Sequence, residues 1–374
     1  MIGKLIAAFA VVAAALGRRP SSPDQSGSAG VDALGEPSGT GANAPDEGLP
    51  PDTGYLDADD APSPLVQRID EFQKQSRPVG FCWAVLKKFG EDKAGLLAAL
   101  VAYFGFFSIF PLLIALVSVL GFVLEDNPDL RSDIADTAFD QIPIVGNTLA
   151  NTIDDIEGSG ILLLIGILIS LWAGLRVIDA IQNALNDIWD LPRSRKVTFV
   201  KRRARGVLTL VVLFLGLVGG AAINALAQLL PDLPGAGRTL IMVATIALNM
   251  GLFVVLFRIM TAERLPWKAH VTGGVLGGFF WWGMQNFGVV YLARVEESAG
   301  PTYGSFASTI VLLTFIFISA QLISLAAEVG VVRYRGLWPR AMPKCTITDA
   351  DRRAWQLQAE QARQVPAQRI TSQV

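Results

Sequence analysis

The sequence predicts an all-α membrane protein, a polytopic helical bundle with about six transmembrane helices plus amphipathic interfacial helices. Three observations predict it. Of 374 residues, 52% are hydrophobic and only 17% are charged, whereas soluble proteins carry roughly a quarter charged residues. The apolar residues gather in runs of the length that a bilayer core demands. Lysine and arginine then fall almost wholly in alternate connections between those runs, the pattern that sets membrane orientation.

Residues 1–17 form a short apolar N-terminal segment. Leu5 to Leu16 is too short to span and resembles a signal-peptide core behind Lys4. Cleavage there would place the next segment outside, against the charge pattern, so an interfacial segment or a start read too far upstream is the expectation. Residues 18–64 are rich in Pro, Gly, Ser and Ala, with nine acidic residues against Arg18 and Arg19. Such a segment buries too little apolar surface to offset its chain entropy and is expected to be disordered. Residues 65–335 make the six-span membrane domain, and residues 336–374 a polar cytoplasmic tail.

Within the membrane domain, Leu65 to Lys93 is amphipathic and basic, as in a helix lying along the membrane. The first span is Ala94–Leu124, long enough to tilt, with Pro111 as an expected kink. The second, about Ile161–Leu175, runs on as a helix toward Pro192, because Ile178, Ile181, Leu185 and Ile188 keep one apolar face. The remaining four are Val207–Leu230, Leu240–Phe257, Val271–Ala293 and Phe306–Val332. The acidic connection 125–160 has the spacing of a short helix folded back on the membrane face.

Orientation follows from the connections. One set carries six lysines and arginines in 65–93, eight in 176–205, three in 258–268 and four in 333–344; the alternate set carries only Arg131, Arg238 and Arg294. Positive charge stays inside, so both termini are expected in the cytoplasm of a bacterial inner-membrane protein. The run Arg193–Gly206 is basic enough to meet phosphates, but its place after the second span marks it as a topology determinant rather than a nucleic-acid site.

The reactive inventory is small. Cys82 and Cys345 lie far apart, and His270 is the one histidine. Neither a disulfide framework nor a cysteine zinc site is suggested, and no metal, cofactor or catalytic residue is assigned. No GxxxxGK[ST] motif is present, which argues against ATP-driven transport by this chain alone.

Ionisable groups near apolar spans are the default place to seek function. Arg176 and Asp179 sit where the second span leaves the bilayer, and Glu328 lies in the last apolar run. A bare carboxylate there is costly, so Arg176 or Arg258 is expected as its partner. Such a pair reads either as a structural lock or as a proton- or ion-coupled gate. Tyr103, Ser108, Asn224, Gln228, Asn249, Gln285, Asn286 and Tyr303 add uncharged polar groups, which commonly do no more than bind neighbouring helices. Adjacent Gln285 and Asn286 point about 100° apart on a helix, so one of them is expected to face a partner or a cavity. Gly273 with Gly277, Gly274 with Gly278, and Gly216 with Gly220 are spaced for close helix packing, with sliding or a dimer face as alternatives. Trp267 and Trp338 are expected as interfacial anchors. Pro301–Ser305 reads as a capping turn opening the last span.

Four stretches in order resemble the YihY/BrkB family of membrane proteins, historically labelled ribonuclease BN. The first, DKAGLLAALVAYFGFFSIFPLL, carries Ala98, Tyr103, Ser108 and Pro111; the second, LWAGLRVIDAIQNALNDIWD, carries Trp172, Arg176, Ala184, Asn186 and Trp189. The third opens at Pro266 and Trp267, and the fourth is PTYGSFAS, with Tyr303 and Gly304, followed by the last span and Glu328. Together they cover about two thirds of the chain, Asp92 to about Arg335; the acidic N-terminal segment is an addition, and LLTFIFIS stands where a tryptophan is expected near Thr314. The resemblance implies an all-helical bundle associated with transport or envelope lipid handling.

The nuclease label does not fit the residues. Metal-dependent phosphodiester cleavage needs several His and Asp ligands, and acid–base cleavage by a histidine pair needs two histidines. The expectation is therefore a non-enzyme: a transporter or permease-like protein for a small anionic solute or envelope lipid. Its cavity or gate would be lined by Arg176, Asp179, Gln285, Asn286 and Glu328. The alternative is a non-transporting scaffold in envelope biogenesis. Membrane lipids and a small-molecule or lipid substrate are the expected partners, nucleic acid is not, and a homo-oligomer stays open.

Overall fold

A computed structural model describes residues 62–123, 160–192, 198–229, 235–263, 265–288, 290, 294–295, 304 and 306–363. The expectations for residues 1–61 and for the fold-back helix in 125–160 lie outside these residues, as do Tyr303 and the side chains of Asn224 and Gln228. Among the described residues every regular element is helical.

Two short helices come first, α1 (Pro64–Gln75) and α2 (Arg77–Glu91), each with proline in its first turn, where no backbone donor is needed. The Ser63 hydroxyl caps α1 by accepting from Val66 N at 3.4 Å. The long helices follow: α3 (Ala94–Val123), α4 (Gly160–Ile188), α5 (Phe199–Leu229) and α6 (Gly235–Met260). After them come α7 (Trp267–Gly283), α8 (Phe306–Arg335) and α9 (Asp349–Gln361). α3 runs through Pro111 without ending.

Helices α3, α4, α5, α6 and α8 are long and apolar enough to cross a membrane. The expected fifth span differs in form. Only Trp267–Gly283 is α-helical, and Met284–Gly288 follows as a wider π turn. The two pieces run on from one another, 17 and then five residues, so five described helices are of spanning length and the expected fifth span is a shorter helix ending in a π turn.

Around the frame, α4 lies against α3, α3 against α8, α8 against α7, α7 against α6 and α6 against α5, with a thinner α4–α5 contact closing the ring. Large apolar side chains such as Phe214, Leu215 and Leu217 of α5 stay exposed, as a lipid-facing surface requires. The tightest packing lies at one end, where Phe81, Val85, Ile188, Trp189, Phe257, Val329, Val331 and Leu337 form a common core. α9 and residues 336–348 belong to this end. The segment read as a polar tail folds back onto α1 and α2, with Leu337, Arg340, Ala350, Asp351 and Ala354 all buried.

The paired glycines divide between two neighbours. A Cβ on Gly274 would meet the Val254 backbone at 2.5 Å, and one on Gly278 the Met250 backbone at 2.5 Å. A Cβ on Gly273 would meet the Ala326 carbonyl of α8 at 2.9 Å. Packing, the first of the three readings, accounts for the glycine pairs of α7. Gly278→Ala is expected to destabilise the bundle by about 1–3 kcal/mol through backbone overpacking. Gly220→Ala, which meets nothing within 4 Å, should melt like the parent. Equal melting temperatures for the two variants would contradict the close α6–α7 approach.

Candidate functional site

The packed end of the bundle contains a buried ionic cluster. Lys88 is the last residue of an apolar stripe on α2, after Phe81, Ala84 and Val85. That periodicity directs its side chain inward with the hydrophobic residues. Its ammonium lies 2% exposed among three carboxylates. Asp92, one turn on, pairs with it directly. Asp190 approaches to 3.1 Å and Glu328 of α8 to 3.7 Å. Asp190 follows the end of α4 with φ 51°, a left-handed conformation that aspartate tolerates better than most residues.

Glu328 is fully buried, and among the described residues neither of its carboxylate oxygens accepts a hydrogen bond from a nitrogen or hydroxyl donor; Asp190 Oδ1 accepts none there either. The Glu328 and Asp92 carboxyls instead share the Lys88 ammonium. Burial raises the Asp92 carboxyl, Lys88 opposes the rise and Asp190 adds to it, leaving it near 6. Burial alone would lower the Lys88 ammonium, yet Glu328, Asp190 and Asp92 together hold it above its ordinary value.

Beside the cluster, the Trp189 and His270 rings pack at a tilt of 58° with centroids 5.2 Å apart. Both are buried, and Trp189 Nε1 and both His270 nitrogens lack hydrogen-bond partners among the described residues. Arg335 of α8 donates to the Trp189 carbonyl at 2.6 Å, tying α8 to the end of α4. Asn186 Oδ1 accepts from Ala262 N at 2.8 Å, tying α4 to the α6–α7 connection.

A second polar network closes the same end from outside. Arg340, fully buried, donates to Asp351 at 2.6 Å and to Glu91 at 2.8 Å. Asp351 also accepts from Lys87, Ala341 N and the Thr348 hydroxyl, and so caps α9 while neutralising Arg340. Burial would raise both Asp351 and Asp70. The hydrogen bonds they accept hold each carboxyl below its ordinary value.

The structure does not gather the expected site residues into one cavity. Glu328 pairs with Lys88, not with Arg176 or Arg258, because α2 folds under the bundle and delivers a nearer cation. Arg176 is exposed and lies 5.0 Å from the centre of the exposed Trp172 ring. Arg258 lies over Trp267 at 4.4 Å and donates to the Leu265 carbonyl. Asp179 is held by Arg202 at 2.9 Å and Arg203 at 3.3 Å, both from α5. Gln285 and Asn286 are exposed in the π turn, with Asn286 donating to the Trp282 carbonyl at 2.7 Å. That turn is level with Phe315, near Gly288, roughly 20 Å along α8 from Glu328.

The remaining family positions are mostly structural. Ala98 and Ala184 are buried in helix contacts. Ser108 donates to the Gly105 carbonyl, and exposed Tyr103 packs on Phe104 and Phe107. Pro266 precedes the first turn of α7, and Gly304 supplies a positive φ of 54° before α8.

Comparison with known proteins places this architecture. An uncharacterized protein of Dickeya dadantii is 26% identical over 63% of this chain and 77% of its own length. The inner membrane protein YhjD of Escherichia coli is 23% identical over 67% of this chain and 80% of its own. The putative ribonuclease-like protein YfkH of Bacillus subtilis is 25% identical over 64% and 89%. No solved structure matches the chain. The model of the family described as virulence factor BrkB matches residues 85–340, from α2 through the long helices to Arg340, and the chain belongs to that family.

Proposed function

We propose that this protein is a permease-like transporter of the bacterial inner membrane, both termini cytoplasmic, that moves a small anionic solute or an envelope lipid. The observation that carries this reading is the charge imbalance of the buried cluster. A lysine locked for stability needs one carboxylate, and Lys88 has three. Each additional buried carboxylate costs several kcal/mol. Ionisable groups buried at such a cost mark sites where charge is bound or moved. The cluster joins α2, α4 and α8, so a change in its charge acts on helices from both sides of the ring. The name of YhjD, an inner membrane protein, supports the location. Lipids of that membrane are the first partners, on the exposed apolar faces of the long helices.

The ribonuclease-like name of the Bacillus relative does not draw us to an enzyme. His270 is 1% exposed behind Trp189, out of reach of a polynucleotide. Among the described residues no group of three His, Cys, Asp or Glu side chains is arranged to hold a metal ion.

The test is flux through proteoliposomes holding the full chain, with fluorescently labelled phosphatidylglycerol, succinate and inorganic phosphate as probes. At least one probe should cross faster than in protein-free vesicles. Glu328→Gln should slow it by about tenfold or more, equivalent to about 1.4 kcal/mol of the cycle. Wild-type rates equal to protein-free vesicles for all three probes would turn the assignment to a scaffold.

A further inference from the structure

Asp92 at the end of α2, Asp190 beyond α4 and Glu328 of α8 converge on the single ammonium of Lys88, with Asp92 and Glu328 approaching it from two different helices. With all four groups ionised the site would hold three negative charges against one positive, wholly inside the protein. Like charges sharing a buried site resolve the conflict by retaining a proton. We propose that the Asp92–Glu328 pair binds one exchangeable proton, which makes the cluster a proton-binding site and the proton the coupling ion of the permease.

The surroundings support a proton rather than a metal ion. Lys88 already occupies the centre of the carboxylates, where a cation would sit. The groups facing the pair are Lys88 from α2 and Asp190 beyond α4, with His270 of α7 on the far side of Trp189. Arg333 and Arg335 follow on α8, and Arg335 is engaged by the Trp189 carbonyl. Lys88 stays charged throughout, because three carboxylates raise its affinity for its own proton. The labile proton therefore resides on the carboxyl pair. Its release leaves a second negative charge beside Asp190, and that repulsion favours separating α8 from α2. Protonation draws them together again. This proton-linked closure rests on the transport reading, but the proton itself does not.

The experiment is infrared spectroscopy of the full chain in lipid nanodiscs, titrated with pH and repeated in heavy water. Wild type should show the carbonyl stretch of a protonated carboxyl that shifts on deuteration and loses intensity as pH rises. Glu328→Gln and Asp92→Asn should each abolish the band. If one variant fails to fold, the other decides. Asp190→Asn should keep the band and move its loss to higher pH only if the proposal is wrong about repulsion; the expected shift is to lower pH. A wild-type spectrum without the band, or a band unchanged in both pair variants, overturns the proposal. The measurement needs no substrate. A titrating band without flux therefore retains the proton site and removes the permease, and flux without the band does the reverse.

Discussion

Asp351→Ala is expected to cost about 3–5 kcal/mol of stability, the range for removing one partner from a buried ion pair. Arg340 is fully buried and would be left with Glu91, which lies at the rim with its side chain 24% exposed. The same substitution takes the acceptor from Lys87, Ala341 N and Thr348, and removes the capping box of α9. Thermal unfolding of the full chain in nanodiscs, followed by tryptophan fluorescence, should show a clearly lower midpoint. An unchanged midpoint would mean that Glu91 neutralises Arg340 alone and that α9 adds little. The acid limb gives an independent check. Asp351 and Asp70 both lie below the ordinary carboxyl value of 3.8 in the folded protein. Their contribution is complete above pH 3.8 and is lost as pH falls from there through the lower folded-state values. Asp351→Ala should therefore flatten the acid loss of stability seen in the parent.

The frame was legible in the sequence because long apolar runs and alternating positive loops are consequences of the bilayer. The boundaries of α4, α6 and α8 fall within a few residues of the expected spans. The fifth span was less so: GGVLGGFFWWG announces close packing, but nothing in it marks where the α-helix widens into the π turn at Met284. The site was half legible. Glu328 stood out as a carboxylate in an apolar run, whereas Lys88 was one more basic residue in an interfacial segment. Its signal was present, since Phe81, Ala84, Val85 and Lys88 share one helical face. Only the docking of that face against α8 separates a buried lysine from a snorkelling one. Arg340 and Asp351 were hidden for the same reason, because a polar segment reads as a tail until its charges are seen to pair internally.

Lys88→Met should be the most damaging change at the cluster, and pH distinguishes its cause from lost packing. Methionine fills nearly the same volume, so the apolar contacts of the lysine stem survive. The charge does not, and Asp92, Asp190 and Glu328 are left buried without a counter-ion. Near neutral pH the cost should again be about 3–5 kcal/mol. The folded variant then holds its carboxyls neutral while the unfolded chain ionises them near 4. The folded state binds more protons, so its stability must rise as pH falls toward that value. The parent shows the same sign only weakly, through Asp92 between 3.8 and about 6. The variant should thus melt far below the parent at pH 8 and close to it at pH 5, and adding Glu328→Gln should recover part of the loss at pH 8. A deficit that is constant with pH would mean that Lys88 matters for its shape and not for its charge. A charge-dependent deficit would place the electrostatic balance of the whole end of the bundle on a single ammonium, the arrangement in which one bound proton has the greatest leverage over helix packing.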